Sequence, residues 1–131
     1  MTNEELLEHA IKAREHSRAD ISGFKVGAAL ALKNGEVFYG CNIEDPSGIG
    51  ITNICAERCA IIKAVSEGNT EFEKIAVAGG KDKLVFCPPC GACRQYLQSW
   101  CPDIKVILSE NGKIKEYDLS DLLPYSFNEE F

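Results

Sequence analysis

The chain has 131 residues, with 14 basic against 20 acidic side chains and a net charge of −6. That length fits a single domain, residues 1–131, large enough to bury its own core. The acid excess argues against long nucleic acids, whose binding draws on neutralised phosphates. No apolar run approaches the roughly 18 residues of a membrane span, and the acidic start Met1-Thr2-Asn3-Glu4-Glu5 lacks a signal-peptide pattern, so a cytoplasmic location is expected.

Thr2-x-x-Glu5 is a capping-box pattern, and Leu6, Leu7, Ala10 and Ile11 follow at helical spacing, predicting a first helix that ends near Ser17. Residues 25–32 read as an apolar strand buried on both faces. Asn34-Gly35 is a hairpin signal into a second strand over 36–41. Residues 45–53, with Pro46, Gly48 and Gly50, predict a loop, and the two glycines suggest a mobile one. A helix is expected from Cys55 to Glu67, stopped by Gly68. Residues 75–79 form a third predicted strand, and Pro88-Pro89 breaks the chain before a helix over 91–99. Strands over 104–108 and 113–117 flank Asn111-Gly112, and a short helix is expected over 118–123. The alternation predicts an α/β fold with a mixed sheet.

Seven cysteines in a cytosolic chain are not a disulfide framework, because that compartment keeps thiols reduced and the count is odd. Metal binding comes first instead. Cys55-Ala56-Glu57-Arg58 and Pro89-Cys90-Gly91-Ala92-Cys93 together supply three sulfurs and one carboxylate. Three thiolates hold zinc with its fourth position open, the arrangement of catalytic rather than structural sites. Both groups fall where a loop enters a helix, and helix N-termini stabilise thiolates. Three thiolates leave zinc with net negative charge, and Arg58 is expected to offset it by hydrogen bonding a sulfur. Glu57 stands too close to Cys55 to be a comfortable fourth ligand; general acid–base catalysis is its expected task. Two other readings stay open: Cys59, one turn after Cys55, closing a structural site, and Cys90-x-x-Cys93, overlapped by Cys87, acting as a redox pair. Cys41, Cys59, Cys87 and Cys101 are each expected to be small buried hydrophobes.

The paired motifs resemble the zinc deaminase signature. More narrowly, the chain resembles the small homotetrameric three-cysteine cytidine deaminases over most of its length. Residues 24–30, Phe24-Lys25-Val26-Gly27-Ala28-Ala29-Leu30, look like that family's first strand, and Asn42-Ile43-Glu44 like its nucleoside-binding strand end. The resemblance implies a three-layer α/β/α fold around a five-stranded mixed sheet and one zinc per subunit. It also implies hydrolysis of the C4 amine of cytidine or deoxycytidine, in pyrimidine salvage. Asn42 and Glu44 would bind sugar hydroxyls; positions two apart on a strand share a face, so both can converge on one ligand. The Ala56 backbone would orient the base, Phe24 would pack near the pyrimidine, and Phe127 would complete a neighbouring subunit's pocket.

Two segments depart from the family pattern. Residues 18–22 lack its tyrosines, with Ile21 where one is expected. The aromatic that follows its Asn-x-Glu pair is replaced by Asp45-Pro46-Ser47-Gly48-Ile49-Gly50. Deamination of another aminated base or nucleoside, such as a modified cytidine or blasticidin S, is the alternative substrate reading.

Overall fold

The computed structural model describes residues 1–128. Helix α1 spans Asn3–Ala13 and carries the expected capping box: the Thr2 hydroxyl accepts from the Glu5 N–H, and the Glu5 carboxylate accepts from Thr2. A 3-10 turn, Arg14–His16, then delivers the chain to Ser17. Strands β1 (Lys25–Leu32) and β2 (Val37–Cys41) form the hairpin, and helix α2 covers Ala56–Ser66. Strand β3 (Phe72–Gly80) starts three residues before its predicted position, its extension pairing with the end of β1. Helix α3 (Gly91–Trp100), strands β4 (Lys105–Glu110) and β5 (Lys113–Asp118), and the short helix α4 (Leu119–Leu122) complete the chain.

The sheet is five-stranded and mixed, in the order β2-β1-β3-β4-β5. Only β3 and β4 pair in parallel; β1 is antiparallel to both β2 and β3. Strands β2 and β3 therefore run the same way, with β1 between them. Helices α2 and α3 follow those two strands, so both begin at one end of the sheet.

Helix α1 covers one face, where Leu6, Leu7 and Ala10 meet Ala29, Ala31, Ala76, Ala78 and Ile107. On the other face Ala60, Ile61 and Ala64 of α2 and Leu97 of α3 pack on Leu30, Ile75, Val77, Val106 and Leu108. The alternation along β1 sorts its side chains between these layers. Each fully buried leucine or isoleucine contributes about 1.5–3 kcal/mol, and the three-layer α/β/α expectation holds.

Two glycines set the helix distances. A Cβ at Gly27 would lie 2.0 Å from the Ala10 carbonyl oxygen, and one at Gly40 would lie 2.3 Å from that of Ala56. Backbone thus packs directly on backbone, and at Gly40 the helix so placed is the first turn of α2. The four cysteines expected to be buried hydrophobes are each only half-buried. They sit at margins: Cys41 ends an edge strand, and Cys87 precedes α3 in a loop. Cys101 also uses its thiol, as a donor to the Phe72 carbonyl at 3.5 Å. Cys93 is the fully buried cysteine.

Candidate active site

Cys55 is the N-cap of α2 and Cys90 the N-cap of α3, while Cys93 lies one turn inside α3. Neither cap position holds a side-chain hydrogen bond to its helix, so both sulfurs are left for other partners. Their sulfurs and that of Cys93 lie within 4.8 Å of one another. Two sulfurs each about 2.3 Å from one zinc are at most about 4.6 Å apart, so the trio is already near a binding geometry. It is the one such group of metal-ligating side chains among the described residues, and Cys59 is not part of it. A closed four-thiolate site is therefore not built here.

Arg58 answers the charge of this cluster. Its Nη2 donates to the Cys55 sulfur at 3.7 Å and to the Asn53 carbonyl at 3.2 Å. Its Nε is buried and has no hydrogen-bond partner among the described residues, a cost that an anionic sulfur cluster beside it offsets electrostatically. The Cys93 thiol donates to Cys55 and, with help from Arg58, draws the Cys55 thiol down to about 5. Cys93 is pushed strongly upward by the same hydrogen bond. Metal ligation needs the thiolate form of each cysteine, so a cation bound among the three sulfurs would displace their protons. The donor set, the helix ends and the arginine all fit zinc.

Arg94 braces the second helix start. Its Nε donates to the Pro89 carbonyl at 2.7 Å and its Nη1 to the Leu122 carbonyl at 3.0 Å, tying the residue before Cys90 to α4.

A cavity of about 290 Å³ opens beside the sulfurs, lined by Phe24, Asn42, Glu44, Ala56, Glu57 and Cys90 among others. Glu57 is 5% exposed. Burial pushes its carboxyl up to about 7, and the Cys55 thiolate adds to the rise, against opposing hydrogen bonds. A carboxyl balanced near neutral pH can both take and give a proton.

The sequence expectations for Cys55, Ala56, Glu57, Cys90 and Cys93 thus converge on one place. Phe24, Asn42 and Glu44 join them along the cavity wall. Phe127 does not: it is 69% exposed and absent from the cavity lining, its carbonyl accepting from Gln95 Nε2 at 3.0 Å.

The structure adds cavity residues for which the sequence suggested no place in the pocket, among them Cys87, expected instead as a small buried hydrophobe. Asn53 and Ile54 line it from the loop side, and Cys87 and Pro88 from the segment before α3. The loop over 45–53 is braced by its own hydrogen bonds. Asp45 accepts from the Ser47 N–H at 2.7 Å and from the Thr52 hydroxyl, and its N–H donates to Asn53 Oδ1 at 2.6 Å. A 3-10 turn over Gly50–Thr52 and a two-way backbone pairing of Ile43 with Ile54 close it. Asp45 and Asn53, eight residues apart, are the polar signal that would have marked this bracing.

Comparison with known proteins agrees with this geometry. Residues 1–109 match the family described as the cytidine and deoxycytidylate deaminase zinc-binding region. A cytidine deaminase of Halalkalibacterium halodurans is 47% identical, the match covering 99% of this chain and 97% of that protein. The crystal structure of a cytidine deaminase from Burkholderia pseudomallei is 41% identical and superposes with a TM-score of 0.87, covering 97% of this chain and 100% of that one. A blasticidin-S deaminase of Bacillus cereus is more distant, at 33% identity over 78% of this chain and 76% of its own. With a family match over most of its length, a relative nearly half identical end to end, and the sulfur trio in place, this chain belongs to the cytidine and deoxycytidylate deaminase zinc-binding family.

Proposed function

We propose that this chain is a zinc-dependent cytidine and deoxycytidine aminohydrolase. The observation that carries the reading is a buried carboxyl, Glu57, that lines one cavity of about 290 Å³ with Cys55 and Cys90 of the three-sulfur cluster. Cys55, Cys90 and Cys93 would hold zinc, which when bound supplies a Lewis acid able to make water nucleophilic near neutral pH. Glu57 accepts a proton from the attacking water and passes it to N3 of the pyrimidine. Water adds at C4, the C4–N bond breaks, and a second transfer through Glu57 lets the amine leave as ammonia. The products are uridine or deoxyuridine and ammonia.

The remaining residues orient the substrate. Phe24 packs beside the base, and the Ala56 backbone, at the first turn of α2, holds it. Asn42 and Glu44, two positions apart and both on the cavity wall, take the sugar hydroxyls. A role in cytoplasmic pyrimidine salvage, as a homotetramer of single-domain subunits with Phe127 reaching a neighbour's cavity, completes the proposal. The exposed position of Phe127 outside its own cavity supports that last element. Blasticidin S as the substrate has the weaker support, 33% identity against 47%.

The test is Glu57→Ala. Stoichiometric zinc and the folded state are expected to persist while ammonia release from cytidine falls by at least ~10²-fold, the lower range for losing a general acid–base. Turnover at the wild-type rate would exclude the mechanism.

A further inference from the structure

We infer that Ser17 is a positioning residue for sugar recognition: its hydroxyl fixes the Asn42 amide so that one N–H alone is left for the substrate. The inference rests on the proposal that Asn42 contacts a sugar hydroxyl.

The observation is a filled amide. Asn42 Oδ1 accepts from the Val26 N–H at 2.9 Å and from the Ser17 hydroxyl, which saturates its two lone pairs. Asn42 Nδ2 donates one hydrogen to the Phe24 carbonyl at 2.8 Å. The second Nδ2 hydrogen is the only hydrogen-bonding capacity the side chain has left, and Asn42 lines the cavity. The amide therefore meets a ligand as a donor and selects an acceptor oxygen, such as that of a sugar hydroxyl. Ser17, at 9% exposure, is one of only two buried polar or charged residues among the described ones, the other being Glu57. A buried hydroxyl spent wholly on Asn42, its carbonyl included at 3.3 Å, has no other evident task.

The surrounding segment acts with it. Arg18 N–H donates to the Asn42 carbonyl and Glu44 N–H to the Arg18 carbonyl, so residues 17 and 18 run alongside 42–44. Farther along, the N–H groups of Ile21 and Ser22 both donate to one oxygen, Oε1, of Glu44. One strap thus holds both sugar-side groups, through backbone at Glu44 and through the Ser17 side chain at Asn42. A hydroxyl donating to the amide oxygen also polarises the amide and strengthens its remaining N–H as a donor.

The experiment compares kcat/KM on cytidine with that on 2′,3′-dideoxycytidine, which lacks both sugar hydroxyls, at equal zinc occupancy. In Ser17→Ala the preference for cytidine is expected to fall about three- to ten-fold, through KM rather than kcat. In Asn42→Ala the preference falls at least as far, and adding Ser17→Ala to it causes no further loss. Equal losses on both substrates in Ser17→Ala would mean a merely structural role and overturn the inference. So would an unchanged preference in Ser17→Ala beside a reduced one in Asn42→Ala. An unchanged preference in Asn42→Ala would instead remove the sugar contact itself, and the inference with it.

Discussion

Gly40 gives the sharpest test of how the fold sets the chemistry. In Gly40→Ala the new Cβ would sit 2.3 Å from the Ala56 oxygen, 2.6 Å from the Ala60 nitrogen and 3.1 Å from the Cys59 Cβ. Carbon–oxygen contacts normally close no further than about 3.3 Å, so the first turn of α2 must withdraw by about 1 Å or β2 must bow. None of the three atoms is the end of a flexible side chain that could swing aside. Overpacking of this kind costs about 1–3 kcal/mol, and a reacting group misplaced by about 1 Å costs on the order of 10²-fold in rate. That turn carries Glu57 and is capped by Cys55. Gly40→Ala should therefore lose both stability, read by the denaturant midpoint, and kcat for ammonia release per zinc-loaded molecule. Gly27→Ala is the control, since its Cβ would strike the Ala10 oxygen at 2.0 Å on the α1 side. It should destabilise at least as much while the molecules that remain folded keep kcat within a few-fold. A Gly40→Ala enzyme with wild-type kcat, or a Gly27→Ala enzyme equally impaired per folded molecule, would refute the reasoning.

Two further outcomes follow from the site's electrostatics. Arg58→Ala removes the hydrogen bond to the Cys55 sulfur and is expected to weaken zinc binding about 10–100-fold in chelator competition; unchanged affinity would leave the guanidinium no part in metal retention. Ser22, by its side chain and N–H, and then the Ile21 N–H hold the Glu44 carboxyl below its ordinary 4.5. A depressed folded-state value stabilises the fold above the unfolded value and loses that contribution as pH falls through the folded one. The stability gap between wild type and Glu44→Gln, measured without metal, should thus hold at pH 6–7 and shrink below 4.5; a gap that grew on acidification would reverse the sign.

The elements were legible because their local signals agree. Thr2 and Glu5 announce α1, Asn34-Gly35 the hairpin, and Gly68 the end of α2. The sulfur trio was legible for a related reason: each cysteine group carries its own loop-to-helix context, so spacing alone placed the ligands at two helix starts. What stayed hidden depends on non-local pairing. Ser17 lies 25 residues from Asn42, and nothing in its neighbours announces that its hydroxyl will be spent there. The half-burial of Cys41 and Cys87 likewise follows from an edge position and a loop position, which composition does not encode. Phe127 belongs with these, since its proposed role needs a second chain.

The common end at which α2 and α3 begin has a polymer consequence as well as a chemical one. Joining Cys55 to Cys90 through one ion staples a loop of about 35 residues that contains all of α2 and β3, the central strand of the sheet. By the chain-entropy relation used for disulfides, closing a loop of that length restricts the unfolded ensemble by about 4 kcal/mol. The ion that activates water would then also be a covalent-like cross-link, and an enzyme stripped of it would lose its reaction and part of its resistance to unfolding in the same step.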